Sequence, residues 1–551
     1  MFFNEKKLKK INHILFDYGA KNIQILENSK VQIKLKFDIY FDKKLVSLSL
    51  NFQNKANWTI PPSFTILNRP LPALDHVGHS GLICTTDHQG ENFDGNKHEK
   101  LISFFLEKTL KILNQSFNNL NSNNRTSIYN ELEGYLENID NVNYDVQLHS
   151  DPCSTPLLYG WLKKNKNGIQ TIAHIDDGQN NNINKTHLTK VKIHKILLKD
   201  SSIFPIPHMD NVFSEEDFLK IIHTLPSDKI ETLLSRGNQN VLIGVPNENG
   251  FTYLVFSYSI WYSYKNIISF QKFKISLTQR AWIDYLLKRT GQEQIDKHIA
   301  IFGCGALGSK VIEILAQTGI NNFSLVDPEK LTTDNIFRHS LGLQQVNIAK
   351  SEALAKKIEL ERPGLTVKPY ITNAENWIQS NCINNVDTII ITIGHTPTEI
   401  FLVKSIFEIN KNINIIVGWI EPYDLGGHFI SFNNKERGCL NCLYYDSNSN
   451  KSLNPKYKYI KSGQILSKNI TGCSGAFTPF SSLNCSKLAS YIAEYALHNK
   501  TGFISLSGEN YSAVKNNILI TNFYEKVNSK NGVNIISLDE IYEEVCSCCN
   551  T

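Results

Sequence analysis

Two features of this sequence are suited to chemistry: cysteines in distinctive settings and a glycine-rich turn. Cys439 and Cys442 stand in GCLNC, and Cys546 and Cys549 in CSCC. Two C-x-x-C pairs can give four thiolates to a tetrahedral Zn²⁺, with Cys548 an alternative ligand inside the second pair. A redox dithiol is the competing reading, but no helix follows the second pair, which favours zinc. Cys473 sits in NITGCSGAFTPFSSLNC, after a stretch rich in Lys, Asn and Ser whose composition suits a mobile loop. Nearby lysines would raise its nucleophilicity, and a mobile thiol can collect an acyl group at one place and deliver it at another. A buried structural cysteine is the alternative. Cys84 lies in GLICTTD, some twenty residues beyond the turn WTIPPSF. Cys485, in a predicted helix, reads as core, and Cys153, Cys304 and Cys382 as structural.

Gly303, Gly305 and Gly308 form G-x-G-x-x-G between a predicted strand, HIAIF, and a predicted helix, with Asp327 closing the next strand. The first glycine permits a tight turn, the second close approach of the backbone to phosphate, and the third packing of the helix on the sheet. The helix N-terminus adds partial positive charge, and the acid is placed for ribose hydroxyls. Alone, this pattern defaults to a nicotinamide-dependent dehydrogenase.

The elements that must carry these residues fall into three segments. Residues 1–125 read as helix, antiparallel meander (NIQIL, KVQIKLKFDIYF, LVSLSLNF), Pro-punctuated loop and helix, an α+β domain. Residues 126–275 read as a small α+β linker domain; its His174, Asp176 and Asp177 are either ligands or a polar turn after a strand. Residues 276–551 alternate strands and helices, predicting an α/β domain with a mainly parallel, Rossmann-like sheet. The chain of 551 residues is too long for one core. Its net charge of +5 is small and shows no basic stripe interleaved with aromatics, so nucleic acid is not an expected partner. No apolar run is long enough to span a membrane. The N-terminus reads as a helix and not as a signal peptide, and eleven cysteines without an export signal suggest reduced thiols in a cytoplasm.

The residues after Asp327 replace the dehydrogenase default. VDPEKLTTDNIFRHSLGLQQVNIAKSEALAKKIE carries an acid two residues on, an Asn and Arg spaced N-x-x-R, and a Lys opening a helix. This order resembles the ubiquitin-activating superfamily, including the ThiF- and MoeB-type adenylyltransferases. The resemblance implies that Asp327 and Glu329 hold ribose or metal, and that Asn335, Arg338 and Lys350 hold the triphosphate of ATP. It also implies that Arg280 reaches into the site of a partner subunit in a homodimer, and that Cys473 is the activating thiol after a crossover loop. The family's Mg²⁺-binding Asp has no counterpart; Gly394 and His395 stand there, and either Glu399 or another carboxylate substitutes or metal binding is arranged differently.

The Pro-Pro turn followed by G-x-I-C resembles the ubiquitin-conjugating fold, which makes Cys84 a nucleophile. The usual H-P-N triplet is absent, and its role passes to His76 or His79 or is missing. Together the segments resemble the fused activating and conjugating enzymes of bacterial antiphage (CBASS) operons. That likeness implies adenylation of a protein's C-terminal glycine, thioesters on Cys473 and then Cys84, and transfer to an amine on a target. The activated protein would be a cGAS-like nucleotidyltransferase or a ubiquitin-like protein. A different ubiquitin-like pathway, a sulfur-carrier adenylyltransferase and a non-catalytic scaffold remain open alternatives.

Overall fold

The computed structural model describes residues 3–549 apart from 42, 69–70, 87–92, 123–125, 138, 140–141, 165–169, 179–182, 184, 207–212, 263–267, 381, 411, 434, 447 and 471–475. The chain divides into two compact units, one built from residues 1–180 and 185–280 and the other from residues 181–184 and 281–551.

The first unit opens with helix α1 (Glu5–Asp17), started by the Asn4 side chain accepting from the Lys7 N–H. An antiparallel five-stranded sheet follows in sequential order: β1 (Lys21–Asn28), β2 (Gln32–Phe41), β3 (Lys44–Gln53), β4 (Ser63–Ile66) and β5 (Leu82–Ile83). Strict alternation decides which face is covered. Ile33, Leu35, Phe37 and Ile39 of β2, and Val46, Leu48, Leu50 and Phe52 of β3, are all buried. Each such side chain stabilises the fold by about 1.5–3 kcal/mol. Helix α2 (His98–Asn121) closes that core with Leu101, Ile102, Phe105, Leu106, Leu113 and Phe117, spaced three and four apart on one stripe.

Two short helices, α3 (Thr126–Asn130) and α4 (Leu132–Glu137), lead into the rest of this unit. Its strands are β6 (Val142–Leu148), β7 (Leu158–Lys164), β8 (Gln170–Asp176), β9 (Thr189–Leu197), β10 (Gly237–Asn247), β11 (Gly250–Tyr262) and β12 (Ile268–Arg280). They close into a barrel in the order β10-β11-β12-β6-β8-β7-β9. Helix α5 (Glu215–Ile222) carries a capping box from Ser214 and Asp217, and buries Phe218, Ile221 and Ile222 against this part, with α6 (Ser227–Leu233) following it. The small α+β segment expected here is therefore a closed seven-stranded barrel with helices.

The second unit contains an eight-stranded sheet. After α7 (Ile283–Lys288), β13 (Ile295–Phe302) leads through a glycine turn to α8 (Ala306–Leu315), then β14 (Ile320–Val326), α9 (Lys350–Glu361) and β15 (Thr366–Tyr370). Then come β16 (Thr388–Ile391), α11 (Thr396–Ile409), β17 (Asn414–Glu421), β18 (Gly426–Phe432), α12 (Ser482–His498), β21 (Gly502–Ser507) and β22 (Val533–Ile536), with α10 (Ala374–Gln379) before β16 and the short pair β19 (Lys468–Asn469) and β20 (Ala476–Phe477) before α12. The sheet order is β15-β14-β13-β16-β17-β18-β21-β22. The first five strands are parallel and the last three are joined antiparallel. Ile299, Ala300, Ile301 and Phe302 are all fully buried, as befits a central strand covered on both faces. From β13 the chain first builds outward through β14 and β15, then returns to β13's other side as β16. That reversal opens a crevice at the strand C-termini, where open α/β sheets bind ligands.

Candidate active sites

The glycine turn sits in this crevice. Gly303 has φ +89°, and a Cβ there would lie 2.8 Å from the Thr392 carbonyl oxygen, just beyond β16. At Gly308 a Cβ would lie 2.0 Å from the Gly303 oxygen, so neither position accepts a side chain. Gly305 is the N-cap of α8 and has open space where its Cβ would be. Its neighbour's N–H is already used: Cys304 donates to Asp327 Oδ2 at 2.7 Å, while Glu329 N–H donates to Oδ1 at 2.8 Å. Asp327 thus ties the glycine turn to the loop after β14. Burial raises its carboxyl pKa, outweighing the opposing pull of these donors and of Lys350. Lys350, the first residue of α9, is 5 % exposed and donates to Glu329 Oε2 at 2.5 Å. A buried ammonium needs such a partner.

Asn335 and Arg338 form a second cluster. Arg338 donates to Asn335 Oδ1 at 2.9 Å, and its guanidinium lies 4.9 Å from the centre of the Phe480 ring. Both line a cavity of about 700 Å³ with Asp334, Ile470, Phe480 and Ser481. Two contacts tie this segment back to the glycine turn: His339 Nε2 lies 2.6 Å from the Cys304 carbonyl oxygen, and Ser340 N–H donates to Ser309 Oγ. His339 carried no motif and was missed in the sequence. Burial drops its pKa to about 4, so a neutral ring donates there.

Glu399 is 3 % exposed and accepts from the Gly394 N–H at 2.9 Å. Burial lifts its pKa to about 7. The side chain thus braces the turn where the family's metal-binding acid would stand.

Cys439, Cys442, Cys546 and Cys549 converge, with their sulfurs all within 4.8 Å of one another. The Cys439–Cys442, Cys439–Cys546 and Cys442–Cys549 separations are 4.0, 3.8 and 3.5 Å. A ZnS₄ tetrahedron with Zn–S of about 2.3 Å has edges of about 3.8 Å, so the donor set fits zinc. Gly438, φ +110°, makes the approach possible, since a Cβ there would meet the Leu538 carbonyl at 2.4 Å. Among the described residues no other group of three or more His, Cys, Asp or Glu converges in this way. His174 instead pairs with His149 at 3.1 Å, and Asp176 accepts from Trp161 Nε1 and Gly178 N–H at 2.8 Å each, which is the polar-turn reading.

In the first unit, Cys84 follows β5 directly and is exposed. Its N–H donates to the His76 carbonyl at 2.7 Å, and its thiol lies 3.5 Å from the Thr86 carbonyl. It lines a cavity of about 700 Å³ together with Pro61, Pro62, His76, Thr86, Glu131 and Tyr135. Of the two histidines left open by the sequence, His76 lines this cavity, whereas His79 packs edge-on against Tyr135 with ring centroids 6.1 Å apart. Glu131, between α3 and α4, was not singled out; it lies 55 residues from His76 and no spacing rule links them. Arg280 ends β12, pairs with Glu133 at 2.7 Å and donates to the Phe251 carbonyl at 3.0 Å.

The remaining cysteines divide by burial. Cys304 and Cys485 are fully buried; burial pushes Cys304 well up and Cys485 to about 11, leaving both unreactive. Cys153, read as structural, is exposed and lies 3.3 Å from the Tyr253 hydroxyl. Cys473 and the side chain of Cys382 lie outside the described residues.

The sequence profile of the ThiF family matches residues 279–531. The chain is 32 % identical over 75 residues to the adenylyltransferase and sulfurtransferase UBA4 of Yarrowia lipolytica, covering 14 % of this chain and 19 % of that protein. It is 24 % identical over 207 residues to the ATP-dependent ubiquitin transferase-like protein Cap2 of Pseudomonas aeruginosa, covering 36 % of each. With the protein of the same name from Vibrio cholerae it shares 30 % identity over 107 residues, 18 % of each. The matches thus span roughly a fifth to a third of these relatives' lengths. Among solved structures, E. coli MccB with ATP aligns with a TM-score of 0.32 and 17 % identity over 46 % of this chain and 66 % of that one. Among the described residues, no helix is long and apolar enough to cross a membrane. The C-terminal part of this chain, residues 279–531, is a ThiF-family domain.

Proposed function

We propose that this chain adenylates the C-terminal glycine of a protein and passes the acyl group through Cys473 and Cys84 to an amine on a target. The observation that carries this reading is the crevice between β13 and β16. There a glycine turn that admits no side chain at Gly303 or Gly308 is tied through Asp327 and Glu329 to the buried Lys350. ATP would place its phosphates near Gly305 and Lys350, with Arg338 and Asn335 as further counter-charge and donor. The substrate carboxylate attacks the α-phosphorus, the P–O bond to pyrophosphate breaks, and an acyl-adenylate forms. Preorganised cations offset charge developing on the phosphates. The Cys473 thiolate then attacks the acyl carbon and AMP leaves. The Cys84 thiolate takes the acyl group by exchange, and an amine displaces it as an amide.

Zn²⁺ is the ion that suits Cys439, Cys442, Cys546 and Cys549, in a structural role. Mg²⁺ would enter with the triphosphate, and Glu329, largely exposed, is the carboxylate with room to assist; Glu399 is engaged with the turn it braces. A role for Arg280 in a partner subunit of a homodimer would require release from Glu133. The relatives named ATP-dependent ubiquitin transferase-like protein favour ubiquitin-like transfer; antiphage defence, with a cGAS-like nucleotidyltransferase as the activated protein, is the setting that the resemblance of the three segments implies. The cavity around Cys84 favours conjugation over sulfur transfer, which has no use for it.

Mass spectrometry of the full chain with ATP and a candidate protein tests the relay. Cys473→Ala should leave adenylation intact and give no thioester anywhere. Cys84→Ala should trap a reducible acyl adduct on Cys473 and give no product. A charged Cys84 in the Cys473→Ala protein would overturn the order, with the acyl group passing directly from adenylate to Cys84.

A further inference from the structure

We propose that Glu131 positions His76 as the proton acceptor for attack of an amine on an acyl group carried by Cys84. The inference rests on the reading of Cys84 as a thioester carrier. His76 and Cys84 are joined through the backbone, since the Cys84 N–H donates to the His76 carbonyl at 2.7 Å. Both residues line the same cavity, and so does Glu131. One Glu131 oxygen lies 2.7 Å from His76 Nδ1, and the other accepts the His76 backbone N–H at 2.6 Å. A carboxylate that grips both the ring and the main chain of one residue leaves that ring little freedom.

The backbone supports the same conclusion. His76 has φ +57°, in the left-handed region that strains a residue with a Cβ. Such a conformation persists where its surroundings over-determine it, and it clusters at functional sites. Glu131 and the hydrogen bond from Cys84 supply that determination here. With Nδ1–H donated to Glu131, the neutral ring presents Nε2 as a lone pair, the arrangement by which a carboxylate sets the tautomer of a general base. The contact with Glu131 also raises the His76 pKa above its ordinary value, with burial opposing. A stronger base results, deprotonated only on the alkaline side of that raised value.

Neutral His76 takes a proton from the incoming ammonium, and the amine nitrogen bonds to the acyl carbon. The C–S bond then breaks with its electron pair on the Cys84 sulfur, and the nitrogen's remaining excess proton passes to that thiolate or to water. The products are an amide and free Cys84.

The test uses the full chain and bypasses adenylation. Cys84 is acylated with the mercaptoethanesulfonate thioester of acetylglycine, the adduct is located by peptide mass spectrometry, and discharge to free lysine is followed from pH 6 to 9. The wild-type discharge rate should rise with pH to a plateau. Glu131→Gln keeps an oxygen to accept the His76 N–H, so the fold is retained. It should lower the plateau about tenfold and move the rising limb to lower pH, because the ring loses the carboxylate that raised its pKa. His76→Gln should remove the limb and slow discharge about a hundredfold, within the range of general acid–base catalysis. Glu131→Asp should recover part of the rate. Unchanged rates and pH profiles in Glu131→Gln and His76→Gln would overturn the dyad while leaving Cys84 as the carrier. Failure of Cys84 to accept the acyl group would overturn the reading of Cys84, and the dyad with it.

Discussion

The two candidate sites are built in opposite ways. The crevice of the ThiF-family domain draws most of its polar groups from residues 303–350, a run where turn, helix, strand and loop follow one another, with Thr392 beyond β16 set against the glycine turn. Its contacts link neighbours along that run: Cys304 to Asp327, Asp327 to Glu329, Glu329 to Lys350. The Cys84 cavity instead takes its walls from the Pro61–Pro62 turn, from the segment 74–86 and from 128–135, beyond helix α2. Within that run the ties of the first site are set largely by main-chain N–H groups on Asp327. The second depends on a carboxylate brought from 55 residues away. A site made from one continuous run is sensitive to the backbone of that run, and one made from distant segments is sensitive to packing between them.

Metal removal should separate the two most sharply. Chelation, or Cys439→Ser with Cys442→Ser, should release about one Zn²⁺ per chain by elemental analysis. It should also strongly lower the thermal transition of the second unit, since structural zinc contributes about 10–16 kcal/mol in small domains. The unit that holds Cys84 has its own cores and should keep its transition. A fully folded native protein without metal would count against the zinc assignment. Next in size is Lys350→Ala, which should depress ATP–pyrophosphate exchange by about a thousandfold, the scale of losing one preorganised charge stabiliser. Acylation of Cys84 by the small thioester should be unaffected. Normal exchange by this variant would remove the nucleotide assignment.

The smallest effect concerns Glu399. Its pKa is raised from an ordinary 4.5 to about 7 by burial. The folded chain therefore holds a proton that the unfolded chain releases, and stability falls as pH rises from 4.5 through 7. Glu399→Gln should remove that decline and be more stable than wild type at pH 8 by up to about 3 kcal/mol, the value of the shift. Urea unfolding at pH 4.5 and pH 8 measures the difference. An equal pH dependence in both proteins would mean that Glu399 is ionised in its buried position.

The same contrast explains what the sequence made legible. The alternation in KVQIKLKFDIYF and LVSLSLNF, and the uninterrupted apolar run of β13, encode burial residue by residue, so meander and parallel sheet could both be read. G-x-G-x-x-G and the residues up to Lys350 could be read because their spacing is their geometry. The barrel could not: it closes through parallel pairings of β12 with β6, β6 with β8 and β9 with β10, which no local period announces. Glu131 was invisible for the same reason. Asp327 was legible in position and incomplete in role, since both of its oxygens hold backbone amides as well as lying where ribose would be expected. Glu399 was named as a possible metal ligand, but its burial beneath Gly394 depends on how α11 packs, which composition does not encode.

The cysteine cluster has a consequence for the order in which the molecule can be made. Cys439 and Cys546 are 107 residues apart, with α12, β21 and β22 between them. At about 5–20 residues per second of synthesis, the first thiol pair waits roughly 5–20 s on the ribosome for the second. Everything up to β18 has by then been synthesised, including the unit that carries Cys84, while Cys439 and Cys442 still lack the other two thiols of their cluster. The unit that carries Cys84 is thus synthesised in full before the ThiF-family domain can close its cysteine cluster, and Cys546 and Cys549 complete that cluster.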